Sequence, residues 1–436
     1  MKKSVIALIL LAVIIIIVSP AIVGKFAEES VGENLNWAAQ ESGELVVTSE
    51  GFDRGWFSSE GQHRIELGDG QIRAAMTTVA GDAEPMPVLL INTHIDHGLV
   101  PVSSMGREEG SLAPGLGSAV STLAVELGDE TIDLPGTIYS KVGMGGDLDS
   151  KYILEPGSQA VDDGDVTWEA TTINVASSAK TGDIEFEGDI GAMTFGNAQQ
   201  VVAIDGLTFS GAQENTPYGF HVGDVEMTMG TMTVTSSGME VSGMQGMSVK
   251  ASSSVDGGDA AAAMRMEMSG QTLPGIGDMS IIADMTFDSI DAESLGGLTA
   301  RLENMGPNQD PTMLMMEAQE EFKDLVAAGL SVGVDQFDVA LPMGTVEVKM
   351  SLEIPESDRA TFAWTSLLLD AAITLDVKVP EALIQQASSM DPQVGAIVGM
   401  GYLKRDGDMY IMDADFKKGL LTVNGAPIPI PMGAFQ

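Results

Sequence analysis

An uncharged apolar stretch at the N-terminus places the strongest constraint on this 436-residue chain. Lys2 and Lys3 precede residues 4–24, which carry no charge and include the unbroken apolar run from Val5 to Val18. A helix of roughly 20 apolar residues crosses the hydrocarbon of a bilayer, and flanking lysines keep the short end in the cytoplasm. We therefore expect a single-pass signal-anchor in the inner (cytoplasmic) membrane, with the bulk of the chain in the periplasm.

The same segment also resembles a cleavable signal peptide. Ser19-Pro20-Ala21 has the small-x-small pattern of a signal-peptidase site, and the apolar run before it fits a cleavable core. The uncharged stretch nevertheless continues through Ile22 and Val23, and proline is a poor residue just before a cut. We favour a retained anchor, and both interpretations export the body of the protein. The chain has no cysteine, which excludes an acylated lipoprotein.

The charge of the chain is strongly acidic, with a formal net charge of −42. Nucleic acid is excluded as a partner, because phosphate binding requires clustered Lys and Arg. Docking on anionic lipid by charge is disfavoured for the same reason. The acidic residues are scattered along the whole chain, which favours a halophilic surface whose self-repulsion is screened by salt. We expect such a protein to lose stability in dilute buffer.

From Glu44 onward, short runs of alternating apolar and polar residues are separated by Gly, Asp and Asn. This period of two is typical of antiparallel strands joined by tight turns. Helical spacing returns late, from Thr312 to Leu330 and from Glu381 to Ser388. We predict a mainly β fold with a minor α component: an N-terminal transmembrane helix followed by an elongated, curved antiparallel β-sheet body with a few late helices.

The same patterns divide the chain into four parts. A composition shift near residues 305–311 gives the main internal boundary. The parts are the transmembrane anchor (1–24), a stalk helix and lead-in strand (25–50), a β-meander region (51–307), and a helix plus strands that complete the β body (308–436).

Four short motifs occur in order along the chain. They are Phe52-Asp53-Arg54-Gly55-Trp56-Phe57-Ser58-Ser59, Ile95-Asp96-His97-Gly98-Leu99-Val100-Pro101, Leu375-Asp376-Val377-Lys378-Val379-Pro380-Glu381-Ala382-Leu383 and Gly419-Leu420-Leu421-Thr422-Val423-Asn424-Gly425. With the N-terminal anchor, they make the chain resemble the DUF945 (YdgA-like) family of membrane-anchored bacterial proteins of unknown function. The departure from the family pattern is Leu99, which stands where the family usually has proline.

This resemblance implies a single-pass inner-membrane protein with a periplasmic body. It implies no catalytic residue and no cofactor, because none is established for the family. Its signature residues in this chain are Phe52, Gly55, Trp56, Phe57, Ser58, Ser59, His97, Gly98, Asn424 and Gly425. The aromatic pair Trp56-Phe57 is interpreted either as a docking wedge or as a structural corner that covers the end of a sheet. We favour the corner.

A histidine motif lies in residues 92–98, which read Asn-Thr-His-Ile-Asp-His-Gly. It resembles half of the metal motif of the metallo-β-lactamase fold, with Asn92 in the place of the first histidine. Only two further histidines exist in the chain, which are too few for a dinuclear zinc site. In an extended strand, His94 and Asp96 face one side and His97 faces the other. A metal site or hydrolase at His94, Asp96 and His97 is therefore a remote alternative.

Methionine is abundant between residues 227 and 285. Alternate spacing puts Met227 and Met229 on one face of a strand, and Met264, Met266 and Met268 on one face of another. Three interpretations remain open. Methionine replaces Leu and Phe as a flexible core filler, or it lines an apolar groove, or its thioethers bind Cu(I).

The function predicted from these features is non-enzymatic. We expect a membrane-tethered protein of the cell envelope, held by residues 4–24, whose β-groove binds a lipid or a partner protein. The candidate groove residues are Met227, Met229, Met264, Met266 and Met268. The alternative is a scaffolding protein of the envelope without a ligand. No resident metal or cofactor is expected.

Overall fold

The computed structural model describes residues 45–54, 58–68, 88–97, 115–127, 130–161, 164–197, 199–273, 277–303, 319–360, 362–364, 370–390 and 392–428. The predicted anchor, the stalk helix and the predicted boundary at 307/308 lie outside these ranges. The chain divides into two compact units whose main boundary lies between Asn215 and Thr216. In the part that the structure describes, no helix has the length and apolarity to cross a membrane.

The first unit consists of strands in its described residues. They are β1 (Leu45–Arg54), β2 (Ser58–Leu67), β3 (Val88–His97), β4 (Gly115–Leu127), β5 (Glu130–Gly143), β6 (Leu148–Leu154), β7 (Gly157–Val161), β8 (Gly164–Trp168), β9 (Thr171–Ser177), β10 (Ile184–Ile190), β11 (Met193–Gly196), β12 (Gln200–Ile204) and β13 (Leu207–Asn215). They form a large antiparallel sheet in the order β1-β2-β3-β4-β5-β6-β9-β10-β13 and a small one in the order β7-β8-β11-β12. This layout confirms that the fold is mainly β and antiparallel.

One face of the large sheet forms the core of the first unit. Side chains alternate between the two faces of a strand, and residues directly opposite on neighbouring strands share a face. On this face Ile138 and Phe186 are half-buried, but many apolar side chains are buried, and Ile65 is only 1% exposed. The others are Leu89, Ile91, Leu123, Val125, Leu148, Tyr152, Ile173, Val175 and Ile190. We call this surface the closed face.

Hydroxyl groups also lie within the closed face, and they pair across neighbouring strands. The Oγ1 atom of Thr93 is 2.8 Å from the Oγ of Ser121, and the Oγ of Ser140 is 2.7 Å from the Oγ of Ser150. All four residues are buried. A buried hydroxyl is tolerated when it has a hydrogen-bond partner, so these pairs let the face exclude water without leaving polar atoms unsatisfied.

A bulge in β5 creates room for the largest of the buried side chains. The register of β4 and β5 shifts between Thr122 and Leu123, and Gly136 adopts a φ of +130°. A Cβ atom at Gly136 would lie 2.6 Å from the Oη of Tyr152. The bulge therefore requires glycine for both its backbone angle and its packing. Burial raises the pKa of Tyr152 to about 12.

The second unit contains the remaining strands and the described helices of eight or more residues. The strands are β14 (His221–Met229), β15 (Met232–Ser236), β16 (Met239–Met244), β17 (Gly246–Asp256), β18 (Asp259–Leu273), β19 (Gly277–Asp291), β20 (Leu330–Leu341), β21 (Gly344–Ile354), β22 (Ala372–Pro380), β23 (Lys404–Asp406), β24 (Met409–Lys417), β25 (Leu420–Val423) and β26 (Ala426–Ile428). The helices are α1 (Ala292–Glu303), α2 (Gln319–Ala327), α3 (Glu381–Met390) and α4 (Pro392–Gly399).

The large sheet of the second unit is also an antiparallel meander. Its order is β14-β17-β18-β19-β20-β21-β22-β24. The far edge of β24 pairs with β23 and β25 in succession, and β26 pairs with β25. Short turns join most of these strands, which is how an antiparallel sheet forms without crossover helices.

Helix α1 follows β19 and lies before the first helix predicted for the β body, which begins at Thr312. Its N-cap is Asp291, whose carboxylate accepts a hydrogen bond of 2.9 Å from the backbone N–H of Ser294. The pair Gly296-Gly297 lowers the helical propensity of this segment, which is why the pattern did not predict it. A Cβ atom at Gly296 would lie 2.2 Å from the carbonyl oxygen of Tyr218, so packing demands glycine there.

Several predicted strands are in fact two strands. Apolar alternation predicts one continuous strand in each of the runs 167–176, 201–209, 225–234 and 239–249, but each run is divided between a large sheet and a short strand outside it. In the run 201–209, Gly206 turns the chain with a φ of +94° between β12 and β13. Apolar alternation continues through these breaks, so the period alone did not reveal them.

Candidate functional site

The two faces of the second large sheet have different chemistry. Alternation places charged side chains on one face, where ion pairs cross between neighbouring strands. Lys250 lies 2.8 Å from Glu226 on β14, and Arg265 lies 2.9 Å from Asp284 on β19. The other face is apolar. We call that surface the open face, for the exposure described below.

A continuous row of apolar side chains crosses the open face. Its members lie directly opposite one another on β14, β17, β18, β19, β20, β21, β22 and β24, so they project from the same side. The row is Met227, Val249, Met266, Ala283, Phe337, Val348, Val377 and Met412. No polar residue interrupts it.

Two further apolar rows flank the central one. One row, two residues along each strand, is Val225, Ala251, Met264, Met285, Val334, Met350, Leu375, Ala414 and Val423. The row on the opposite side is Met229, Met247, Met268, Ile281, Val339 and Val346. Together the three rows form a wide apolar surface without a charged group.

These rows remain accessible to solvent. Apart from Ala283 and Val423, which are buried, every member is half-buried or exposed, and Phe337 at the centre is 37% exposed. Neighbours within one layer cover a side chain only from its flanks. A contiguous apolar surface that stays partly accessible is a feature of ligand- and partner-binding sites.

The five methionines predicted to line a groove all lie in these rows. Met227 and Met229 are on β14, and Met264, Met266 and Met268 are on β18. The structure brings them together with Met247 on β17 and Met285 on β19. Sequence reasoning missed Phe337, Val348 and Val377 as members of the same surface. Only the strand register, which alternation does not specify, reveals that they are neighbours.

His94 lies between two carboxylates rather than in a cluster of ligands. Its Nε2 is 3.1 Å from Oδ1 of Asp96, and its Nδ1 is 3.4 Å from Oε1 of Glu60, which lies directly opposite on β2. Asp96 is buried, while His94 is partly exposed. The side chain of His97 lies outside the described residues. Within the described ranges, no group of three or more His, Asp or Glu residues is placed to hold a metal ion.

The N-terminal signature motif includes the end of β1 and the beginning of β2. Phe52 lies in β1 beside a shift of register between Glu50 and Phe52, and Ser58 begins β2. Ser59 is buried in the first unit. Gly55, Trp56, Phe57 and Gly98 lie outside the described residues, so their interpretation stays a prediction.

The C-terminal signature motif has a structural role. Asn424 adopts a φ of +52° in the turn between β25 and β26. Its Nδ2 donates hydrogen bonds to the carbonyl oxygens of Gly401 and Tyr402 at 3.2 Å and 3.0 Å. Its Oδ1 accepts one of 3.1 Å from the backbone N–H of Asp413. Asn424 therefore ties three segments together, and Gly425 follows with a φ of +77°.

His63 was not singled out from the sequence, and it lies on the closed face. It lies on β2 directly opposite Ile91 and is buried beside Ile65. Burial disfavours the charged imidazolium and lowers the pKa of His63 below its usual value. A lone histidine in an alternating run gave no indication of this environment.

Fold and site together define a class: an antiparallel β protein with two units, one of which carries an open apolar face. The model of a family described as "Bacterial protein of unknown function (DUF945)" matches residues 1–431, so the chain belongs to this family. The resemblance drawn from the four motifs is confirmed. The family description assigns neither a ligand nor an activity.

One relative is Protein YdgA of Escherichia coli (strain K12). The two chains are 24% identical over 234 residues, which cover 50% of this chain and 44% of YdgA. The chain thus spans less than half of the length of that relative. No solved structure matches the chain.

Proposed function

We propose that this protein is a membrane-tethered protein of the cell envelope whose open face binds the acyl chains of a neutral lipid. The observation that carries the proposal is the central row from Met227 to Met412, which crosses eight strands without a polar residue and stays accessible to solvent. An apolar ligand on this surface would remove it from water, at roughly 25 cal/mol for each Å² covered.

The dimensions of the rows favour an acyl chain. Seven spacings of about 4.8 Å separate eight neighbouring strands, so the central row is about 34 Å long. The hydrocarbon core of a bilayer, which holds two acyl chains end to end, is about 30 Å thick. One lipid chain therefore fits along the rows with room to spare. Methionine side chains can adjust to its shape because they are unbranched and flexible.

The charge of the protein restricts the head group. A net charge of −42 repels anionic lipids unless salt screens it. The three rows themselves offer no cation to pair with a phosphate. A neutral or zwitterionic lipid is therefore the ligand that the surface fits best.

The proposed cellular location of the protein is argued from its sequence. Residues 4–24 supply the proposed anchor in the inner membrane, and Lys2 and Lys3 set its orientation, with the two units in the periplasm. Protease added to spheroplasts tests this directly. We expect the body to be digested in intact spheroplasts, and protection of the body until lysis would contradict the proposed topology.

The proposal includes no catalytic step. His94 contacts Glu60 on the neighbouring strand and Asp96 on its own strand, and these contacts explain its position without a substrate. The competing function is that of a scaffold without ligand, which the closed face favours because its side chains are already buried. The two functions differ in whether the open face takes up lipid.

A matched pair of variants on β14 tests lipid binding. Met227 belongs to the central row, while the next residue, Thr228, points to the charged face and is exposed. The full chain is titrated in molar salt with a pyrene-labelled phosphatidylcholine. We expect Met227→Asp to weaken binding at least about tenfold, because 1.4 kcal/mol is enough for that change and an unpaired charge in an apolar site costs more. Thr228→Asp adds the same charge and should bind like the parent.

Two results would decide against the open face. Equal affinities of the two variants would place the lipid elsewhere on the protein. Absence of binding in the parent protein, with a folded circular dichroism spectrum, would favour the scaffold.

A further inference from the structure

Three methionines meet in one row at the edge of the open face. Met229 on β14 lies directly opposite Met247 on β17, which lies directly opposite Met268 on β18. All three are half-buried, so they are reachable from solvent. The next member of the row is Ile281, so the run of thioethers ends after three strands.

We infer that Met229, Met247 and Met268 form a binding site for monovalent copper, Cu(I). Thioether sulfur is a soft ligand that selects Cu(I) over the harder divalent ions. The chain contains no cysteine, so methionine supplies all of its soft ligands. This inference goes beyond lipid binding and does not depend on it.

The register allows the three sulfurs to converge. Directly opposite residues have Cβ atoms about 4.5–5.5 Å apart, so the Cβ atom of Met247 lies at about this distance from the Cβ atom of each partner. Three rotatable bonds let the two outer side chains lean toward the central one. The strongly acidic protein also attracts a cation from solution.

No histidine of this strand completes the site. His221 begins β14 and Met229 ends it. Eight residues at about 3.3 Å each separate them by about 26 Å, so the imidazole is out of reach. A site made only of thioethers has no ligand proton to release, whereas imidazole ligands must be deprotonated. We therefore expect the Cu(I) affinity to be unchanged between pH 5.5 and pH 7.5.

The test is a titration of the full chain with Cu(I) under ascorbate, in competition with bicinchoninate, and with Ag(I) as a redox-inert probe. We expect one ion per chain, with sulfur as the bound neighbour in X-ray absorption spectra. Met247→Leu should weaken binding at least about tenfold, because changing even a residue behind the ligands of a metal site costs that much affinity. The control is Met350→Leu, since Met350 lies in the same face but faces Val334 and Leu375.

Three results would overturn the inference. They are no binding above the bicinchoninate competition, equal losses in Met247→Leu and Met350→Leu, or nitrogen and oxygen neighbours in the absorption spectrum. Lipid titration of Met247→Leu separates the two proposals, because leucine keeps the surface apolar. Retained lipid binding with lost Cu(I) binding supports the copper site by itself. Loss of Cu(I) binding in an unfolded variant is recognised by circular dichroism, and Met268→Leu then repeats the test.

Discussion

The closed face and the open face are built from the same pattern and end in different environments. Both belong to antiparallel meanders in which apolar and polar residues alternate. In the first unit, Leu123 and Val125 are buried. In the second unit, the apolar residues of the open face on β18 and β21, such as Met266 and Val348, are half-buried. Alternation therefore specifies which face is apolar, but it does not specify whether anything covers that face.

The side chains on the two faces also differ. The closed face contains Ile, Leu and Val together with paired hydroxyls such as Thr93 with Ser121. The open face also contains valines such as Val249, but it adds many methionines and small residues such as Ala251 and Ala283. Stiff branched side chains and satisfied hydroxyls suit a fixed core, whereas methionine suits a surface that adapts to a ligand.

The largest expected contrast comes from the same substitution made on each face. Leu123 is 5% exposed in the closed face, and Leu352 is half-buried in the open face. Leu123→Ala should lower the free energy of unfolding by about 2–5 kcal/mol, because it removes buried methyl groups and leaves a cavity. Leu352→Ala should cost less, about 1–2 kcal/mol, since part of that side chain is already in water. Chemical denaturation in molar salt measures both.

The stability losses of Leu123→Ala and Leu352→Ala test whether the two faces differ in burial. Similar losses for both variants would show that the open face is covered in solution, and the basis for lipid binding there would be lost. Because the two units can unfold separately, each variant is followed with a probe in its own unit.

A second expected contrast is the pH dependence of the closed face. Burial lowers the pKa of His63 below 6.5, so the unfolded chain takes up a proton at a higher pH than the folded one does. The contribution of neutral His63 to the free energy of unfolding is therefore present above about pH 6.5 and is lost as the pH falls through the folded pKa. The free energy of unfolding changes by at most about 1.4 kcal/mol per pH unit in this range. Urea denaturation of His63→Leu between pH 7.5 and 5.5 should show a flatter profile than the parent.

The control for this experiment is His221→Gln, because His221 is exposed on β14. It should keep the pH profile of the parent. A parent profile that is already flat, or a flattening caused by the His221 variant, would contradict a neutral buried His63.

The predicted alternation identified most of the sheet, while the positions that failed have specific causes. Alternation predicts strands at 332–341, 345–354 and 420–423. Strand β25 has the last of these bounds, and β20 and β21 begin within two residues of the other two. Helix α1 was missed because Gly296 and Gly297 weaken its helical pattern. Gly296 is there to admit the Tyr218 carbonyl oxygen, which is a contact between distant residues. Local propensity contains no information about such a contact.

The sequence predicted which methionines of one strand share a face, but not which residues of other strands lie beside them. The spacing of Met264, Met266 and Met268 predicted correctly that they share one face. It could not predict that Met247 would stand between Met229 and Met268, because that depends on the register of three strands. The register follows from turns and bulges that one-dimensional periodicity does not describe.

The smallest expected effect concerns how the second unit is stabilised apart from its open face. Asp291 caps α1 and is 2.8 Å from Arg359. Burial alone would raise the pKa of Asp291, but hydrogen bonds from Ser294 and Arg359 outweigh it and lower the pKa. Asp291→Ala should lower the free energy of unfolding by about 1 kcal/mol, the usual effect of losing an N-cap.

Asp291→Asn is the matched control for this cap. Asparagine caps a helix about as well as aspartate, so most of the stability at pH 7 should return, and only the charge pairing with Arg359 is lost. Because the folded pKa of Asp291 is lowered, its contribution is present above the unfolded pKa and disappears as the pH falls through the folded pKa. The difference between the parent and Asp291→Asn should therefore vanish in acid. If it persisted there, the carboxylate charge would not be its cause, and the second unit would owe less to this helix cap than the hydrogen bonds of Asp291 indicate.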